Sequence, residues 1–194
     1  MILPIVAYGH PVLRQVAEDI DPAAYPDLDK LIADMWETMY ASNGVGLAAP
    51  QINRPIRLFV VDSEQIFANK DEDDDEDYPD APGYKGVFLN AHIVEEAGDD
   101  WAYNEGCLSI PRIREDIYRA EEVTVRYLDE NLKQQERTFN GVTGRIILHE
   151  YDHIDGKLFI DHLSPLKRKL MKRKLDDISR GAIRTDYRML FPKK

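Results

Sequence analysis

His149-Glu150-Tyr151-Asp152-His153 restricts this chain more than any other stretch, because an H-E-x-x-H run becomes a site only on a helix. One helical turn brings positions i and i+4 onto a common face. Two imidazoles can then close on one ion, with the carboxylate between them placed to reach a water beside it. The chemistry named by that arrangement is metal-assisted hydrolysis. The flanking residues suit a helix. Thr143 and Gly144 can open it, Ile146, Ile147 and Leu148 supply apolar turns, and Gly156 can end it. The competing reading is an amphipathic surface helix carrying two solvated histidines.

A catalytic zinc or iron needs a third protein ligand, and its candidates separate the H-E-x-x-H hydrolases from one another. The extended metzincin pattern needs Gly156, which is present, and a histidine at position 159, which is Phe159. A thermolysin-like site needs a later glutamate, and none follows Glu150. Asp161, His162 and Asp176 remain downstream, and Cys107 upstream. Cys107 is the single cysteine, and a lone cysteine is commonly a small buried hydrophobe. Its setting, Glu105-Gly106-Cys107-Leu108-Ser109-Ile110-Pro111, instead fits a strand edge facing a cleft. A thiolate with two imidazoles makes a soft site able to hold ferrous iron or zinc, and one open to oxidation.

A second constellation is Gly44-Val45-Gly46-Leu47-Ala48-Ala49-Pro50-Gln51. Its glycines allow close backbone approach and Gln51 ends it with an amide donor. It follows residues 27–42, which read as an amphipathic helix with Leu28, Leu31, Ile32, Met35 and Met39 on one face and Asn43-Gly44 as its stop. It lacks the Gly-Lys-Ser/Thr ending of a phosphate loop.

Taken together, these segments resemble the peptide deformylase family, whose motifs read G-x-G-L-A-A-P-Q, E-G-C-L-S and H-E-x-x-H in that order. The resemblance extends to Tyr8-Gly9-His10-Pro11-Val12-Leu13-Arg14 and to residues 158–167, and so covers nearly the whole chain. It implies removal of the formyl group from the N-terminal formylmethionine of new polypeptides, with release of formate. Cys107, His149 and His153 would bind one divalent metal, Fe2+ foremost, with Zn2+, Ni2+ or Co2+ as alternatives. Glu150 would be general base and then acid, while the Gln51 amide and the Leu108 backbone N–H would donate to the oxyanion. Gly46 would hydrogen-bond the substrate backbone, Val45, Tyr103, Val142 and Ile146 would wall a methionine pocket, and Arg114 would approach the substrate. Glu105 and Arg119 look like a structural pair. The chain departs from the usual pattern at Leu148, where glutamine is usual, at Ile154, where leucine is commoner, and at Arg112, where glycine is frequent.

The remaining sequence sets the frame. Residues 56–61, 87–94 and 123–127 read as strands, with a hairpin turn near 129–131 and a return through 133–139. Strands and helices do not alternate as parallel units. The expected class is therefore α+β, with antiparallel sheets around a central helix carrying H-E-x-x-H and a helix near the C-terminus. At 194 residues one domain is expected. Residues 1–7 read as an edge strand and not a signal peptide, no stretch is long and apolar enough for a membrane span, and one cysteine suits a reducing compartment. The expected location is the cytoplasm, without membrane or DNA partners.

Much of the formal charge of -11 comes from Asp71-Glu72-Asp73-Asp74-Asp75-Glu76-Asp77, within an expected mobile insertion over residues 63–85. Residues 164–180 show the opposite bias, a basic helix with Ser164-Pro165 at its start and Leu166, Leu170 and Leu175 as an expected apolar stripe. That helix is a candidate ribosome-facing surface near the point where nascent chains emerge. Two other classes are distinguishable. An RNA-binding module with a structural metal would need a closed set of four ligands. A family member that had lost catalysis would lack Glu150 or Gln51.

Overall fold

The computed structural model describes residues 1–68 and 79–193. In chain order the elements are β1 (Ile5–Val6), α1 (Leu28–Ala41), β2 (Gly46–Ala48), β3 (Leu58–Asp62), α2 (Glu64–Ala68), β4 (Lys85–Cys107), β5 (Ile110–Leu128), β6 (Gln134–Asn140), α3 (Gly141–Ile154), α4 (Pro165–Ser179) and β7 (Met189–Leu190). Strands β2 to β6 form an antiparallel sheet in sequence order, and β1 pairs with β7 apart from it. The fold is α+β. The β1–β7 pair is parallel, an arrangement the sequence did not suggest. Parallel neighbours need a long crossover, and here nearly the whole chain supplies it.

Local chemistry accounts for the elements that frame the site. Helix α1 buries Leu28, Met35 and Met39, and Leu31 and Ile32 pack partly buried on the same cluster. Asn43, at φ +55°, turns the chain out of α1 and toward β2. Residues 142–150 of α3 are all buried, as expected of a helix surrounded by sheet and loops. This helix begins at Gly141, two residues ahead of the expected opening. Gly141 adopts φ +56° on leaving β6, and Asp80 accepts from the Thr143 backbone N–H and hydroxyl, both at 2.7 Å.

Three expectations need correction. Strands β4 and β5 form one long hairpin, far beyond residues 87–94 and 123–127. The stretch Glu95 to Asn104 has apolar alternation only at Trp101 and Tyr103, and cross-strand pairing from Leu89–Leu128 out to Cys107–Ile110 imposes its strand form. Register shifts after Leu89, Ile93, Ala97 and Gly106 bend this hairpin, and its tip carries Cys107. Secondly, α4 does not bury Leu166 and Leu170, which are 68 % and 77 % exposed; Met171, Leu175 and Ile178 face the core instead. Both stripes have helical spacing, and the docking surface offered by Val6, Leu13 and Ile117 selects between them. Thirdly, the described ends of the 63–85 insertion are tied down. The Tyr84 N–H donates to Ser63 Oγ at 2.9 Å, and the Ser63 and Thr143 hydroxyls lie 2.7 Å apart. The acidic run 71–77 lies outside the described residues.

Candidate metal and catalytic centre

Helix α3 and the tip of the β4–β5 hairpin together build the floor of a cleft of about 430 Å³. One ligand atom from each of Cys107, His149 and His153 falls within 4.8 Å of the others. The Cys107 sulfur is 3.2 Å from His153 Nε2. Donors at this spacing can meet on one ion with bonds of about 2.0–2.3 Å. Burial pushes the Cys107 thiol up, but the neighbouring His153 and His149 imidazoles outweigh it and bring it down to about 5. The sulfur is then a thiolate at neutral pH, the form that binds metal. Asp161, the first downstream alternative, pairs with Arg14, and His162 bonds Asp152 at 2.7 Å. Neither belongs to the cluster.

Behind the donors stands a buried charge network. Glu105 Oε2 accepts from His149 Nδ1 at 2.8 Å, so the nitrogen left to a metal is Nε2, once its own proton is lost. The Arg119 guanidinium clasps the same carboxylate at 2.8 and 3.0 Å, and Arg145 reaches it at 3.2 Å. Arg119 also donates to Asp152 at 2.7 Å. Burial opposes the charge on Glu105, but the His149 and Arg119 contacts overcome it and hold the carboxyl well below its usual range. His149 is drawn well up, with burial opposing and the Cys107 and Glu105 contacts prevailing. The Glu105–Arg119 pair has the arrangement expected of it. No motif marks Arg145 or Asp152, though an arginine inside the apolar turn preceding His149 is a usable signal. Its guanidinium also lies 4.6 Å above the Trp101 ring and donates to the Trp101 and Ile117 carbonyls.

Glu150 lies beside the cluster, 4 % exposed, and its Oε2 has no hydrogen-bond partner among the described residues. Burial raises its pKa to about 7 against the pull of His149 and His153. A proton carrier works best with a pKa close to the working pH. Gly46 presses directly on this carboxyl: a Cβ at that position would lie 2.4 Å from Glu150 Oε1. The 3-10 turn Ala49–Ile52 delivers Gln51, whose Oε1 accepts from the Ala48 N–H at 2.9 Å. Its amide nitrogen is thereby turned toward Cys107 Sγ at 3.5 Å and Ser109 Oγ at 3.3 Å.

Val45, Gly46, Tyr103, Leu108, Arg114 and Ile146 all line the cleft. Val142 does not: it is 1 % exposed within the core cluster behind α3. It stands one helical turn before Ile146, but at the start of α3 that face meets the sheet. Arg114 is held at the rim by Asn104, donating to its side-chain oxygen at 2.8 Å and its carbonyl at 2.5 Å. Arg184, Thr185, Asp186 and Tyr187 also line the cleft, and no motif pointed to them.

Three donors and no fourth make up this cluster among the described residues, and a sulfur-nitrogen set open on its cleft side belongs to catalytic and not to closed structural metal sites. Comparison with known proteins narrows that class. The family model for polypeptide deformylase matches residues 2–169. A peptide deformylase of Christiangramia forsetii is 50 % identical over 192 residues, covering 99 % of this chain and 97 % of the relative. The crystal structure of a Legionella pneumophila peptide deformylase superposes with a TM-score of 0.78 at 39 % identity, covering 95 % of this chain and 99 % of that one. A Met-Ala-Ser-bound deformylase of Acinetobacter baumannii gives a TM-score of 0.71 at 31 % identity, covering 84 % and 99 %. The chain belongs to the polypeptide deformylase family.

Proposed function

We propose that the chain hydrolyses the formamide of N-formylmethionyl peptides, releasing formate and a free methionyl amine, with Cys107, His149 and His153 holding one divalent ion. The observation carrying this reading is the placement of those three donors within 4.8 Å at the floor of a cleft beside a buried Glu150. The donor set accommodates Fe2+, Zn2+, Ni2+ or Co2+, and the family resemblance puts Fe2+ foremost. Such an ion supplies Lewis-acid polarisation of the formyl group and a water that ionises near neutral pH.

The residues then divide the work. Strand β2 is at the edge of its sheet, so its open side can take a peptide as an added strand, and Gly46 offers its backbone there without a side chain in the way. Val45, Tyr103 and Ile146 give the methionine side chain an apolar wall. Glu150 takes a proton from the attacking water on a carboxylate oxygen. The new carbon–oxygen bond forms, and the carbon–nitrogen bond breaks as Glu150 returns the proton to the leaving amine. The Gln51 amide and the Leu108 N–H stabilise the oxyanion that develops between those events. The A. baumannii structure with bound Met-Ala-Ser supports the choice of peptide.

The experiment is formate release from formyl-Met-Ala-Ser by protein purified without oxygen and analysed for metal. Release that disappears in Glu150→Ala, with metal content kept, is expected. An active Glu150→Ala variant refutes the mechanism, and a metal-loaded wild type that releases no formate refutes the function. A cytoplasmic site of action and a ribosome-facing α4 belong to the same reading. Lys169, Lys172 and Arg173 are exposed on α4, so reversing their charge should weaken cosedimentation with ribosomes at low salt. Unchanged cosedimentation removes the ribosome from the reading.

A further inference from the structure

The family match ends at residue 169, yet the chain continues through α4 and comes back to the cleft. This return segment is pinned at both ends. At its start the Gly181 and Ala182 N–H groups donate to the Ile178 and Asp177 carbonyls at 3.0 and 2.8 Å. At its end β7 pairs with β1, with Ile5 donating to the Arg188 carbonyl and Ala7 to the Leu190 carbonyl. Between the pins the segment crosses the E-G-C-L-S motif, where the Tyr187 hydroxyl donates to the Leu108 carbonyl at 2.8 Å. The Thr185 hydroxyl donates to the Tyr187 carbonyl at 2.7 Å and closes the bend. Residues 184–187 are thus held against the residue that carries the proposed oxyanion donor.

Charge at this rim is unevenly distributed. Among the described residues that line the cleft, Arg112, Arg114 and Arg184 are exposed, and Asp186 is the one exposed acid. Glu105 and Arg145 are consumed by their buried network, and Glu150 lies on the floor. We propose that residues 184–187 form a wall of the substrate cleft, and that Arg184, with the neighbouring arginines, favours formylmethionyl peptides bearing acidic side chains just after the methionine. This inference rests on the deformylase reading above and extends it to residues beyond the methionine.

The test measures kcat/KM for formyl-Met-Asp-Asp and formyl-Met-Lys-Lys with the metal-loaded full chain. Wild type is expected to favour the acidic peptide. Arg184→Glu should lower the acidic-to-basic ratio about fivefold or more, since reversal removes one exposed attraction and adds one repulsion. Asp186→Lys should raise it. Arg188→Glu is the control for net charge, because Arg188 is exposed on the same segment but does not line the cleft. Its ratio should match wild type, and the Arg184 effect should shrink at about 0.5 M salt. An equal ratio in wild type and Arg184→Glu, or an equal shift from Arg188→Glu, overturns the inference. No formate from either peptide with wild type overturns instead the hydrolytic reading beneath it.

Discussion

Gly46→Ala tests the closest contact in the site. A methyl group there would lie 2.4 Å from Glu150 Oε1 and 2.8 Å from both Cγ and Cδ. The backbone is extended within β2, so alanine's conformational preference is no obstacle; the conflict is steric. Contacts below 3.0 Å are not sustained, so the carboxyl must retreat by more than half an ångström, roughly the scale at which misplacing a catalytic group costs ~100-fold. Glu150 has little room, because its side chain is buried on α3 against β2. Overpacking of this kind costs about 1–3 kcal/mol, a fall in Tm of up to ~10 °C for a chain of this size. The expected result is a folded, metal-replete variant with kcat down about 100-fold. Because the clash is with the Glu150 side chain, Gly46→Ala should lower Tm far less when introduced into Glu150→Ala, which leaves room for the methyl group. Stopped assays of formate release, a melting curve and metal analysis measure all of this. A kcat within about threefold of wild type, or an undiminished fall in Tm in the Glu150→Ala background, would refute the reasoning.

Further predictions concern the supports of the site. Glu105→Gln removes the carboxylate that Arg119 and Arg145 share, leaving Arg119 with Asp152 and Arg145 with backbone carbonyls alone, so unfolding free energy in urea should fall by about 3–5 kcal/mol. Metal affinity measured by chelator competition should drop about 10- to 100-fold as His149 loses its orienting partner; a change under threefold in affinity would argue against that role. Gln51→Ala should keep one metal per chain while kcat falls about 100- to 1,000-fold, and loss of metal together with activity would make Gln51 structural. Asp129 accepts from the Asn131 and Lys133 N–H groups and the Gln135 amide. The Lys133 backbone contact leads in lowering its pKa below 3.8. Its contribution to stability is therefore present above 3.8 and lost as pH falls through the lower folded value. The Asn131 and Lys133 amide resonances should titrate with a midpoint under 3.8, and a midpoint at or above that value contradicts the turn geometry.

Much of the centre was readable in the sequence because its signals are local. H-E-x-x-H works through the pitch of one helix, and the absence of a histidine at 159 and of any later glutamate narrows the third ligand by covalent order alone. The same holds for α1, whose apolar spacing and Asn43-Gly44 stop are properties of neighbouring residues. The charge network was not readable at that level. Arg145, Glu105, Arg119 and Asp152 come from three elements, and what joins them is the shared cost of burying charge, which exists only once the chain has closed around them.

The sequence by itself determined the kind of chemistry: a thiol, two imidazoles, a carboxyl and an amide carried on short motifs whose geometry follows from turn and helix pitch. Tertiary structure decided which side chains meet. It bent the polar β4–β5 arm so that Cys107 arrives within 3.2 Å of His153, and it chose Met171, Leu175 and Ile178 over Leu166 and Leu170 for the buried face of α4. It also brought residues 184–187 back to the cleft. Helical spacing and motif order are fixed by bonds along the chain, whereas burial and long-range pairing depend on surfaces that distant segments present to one another.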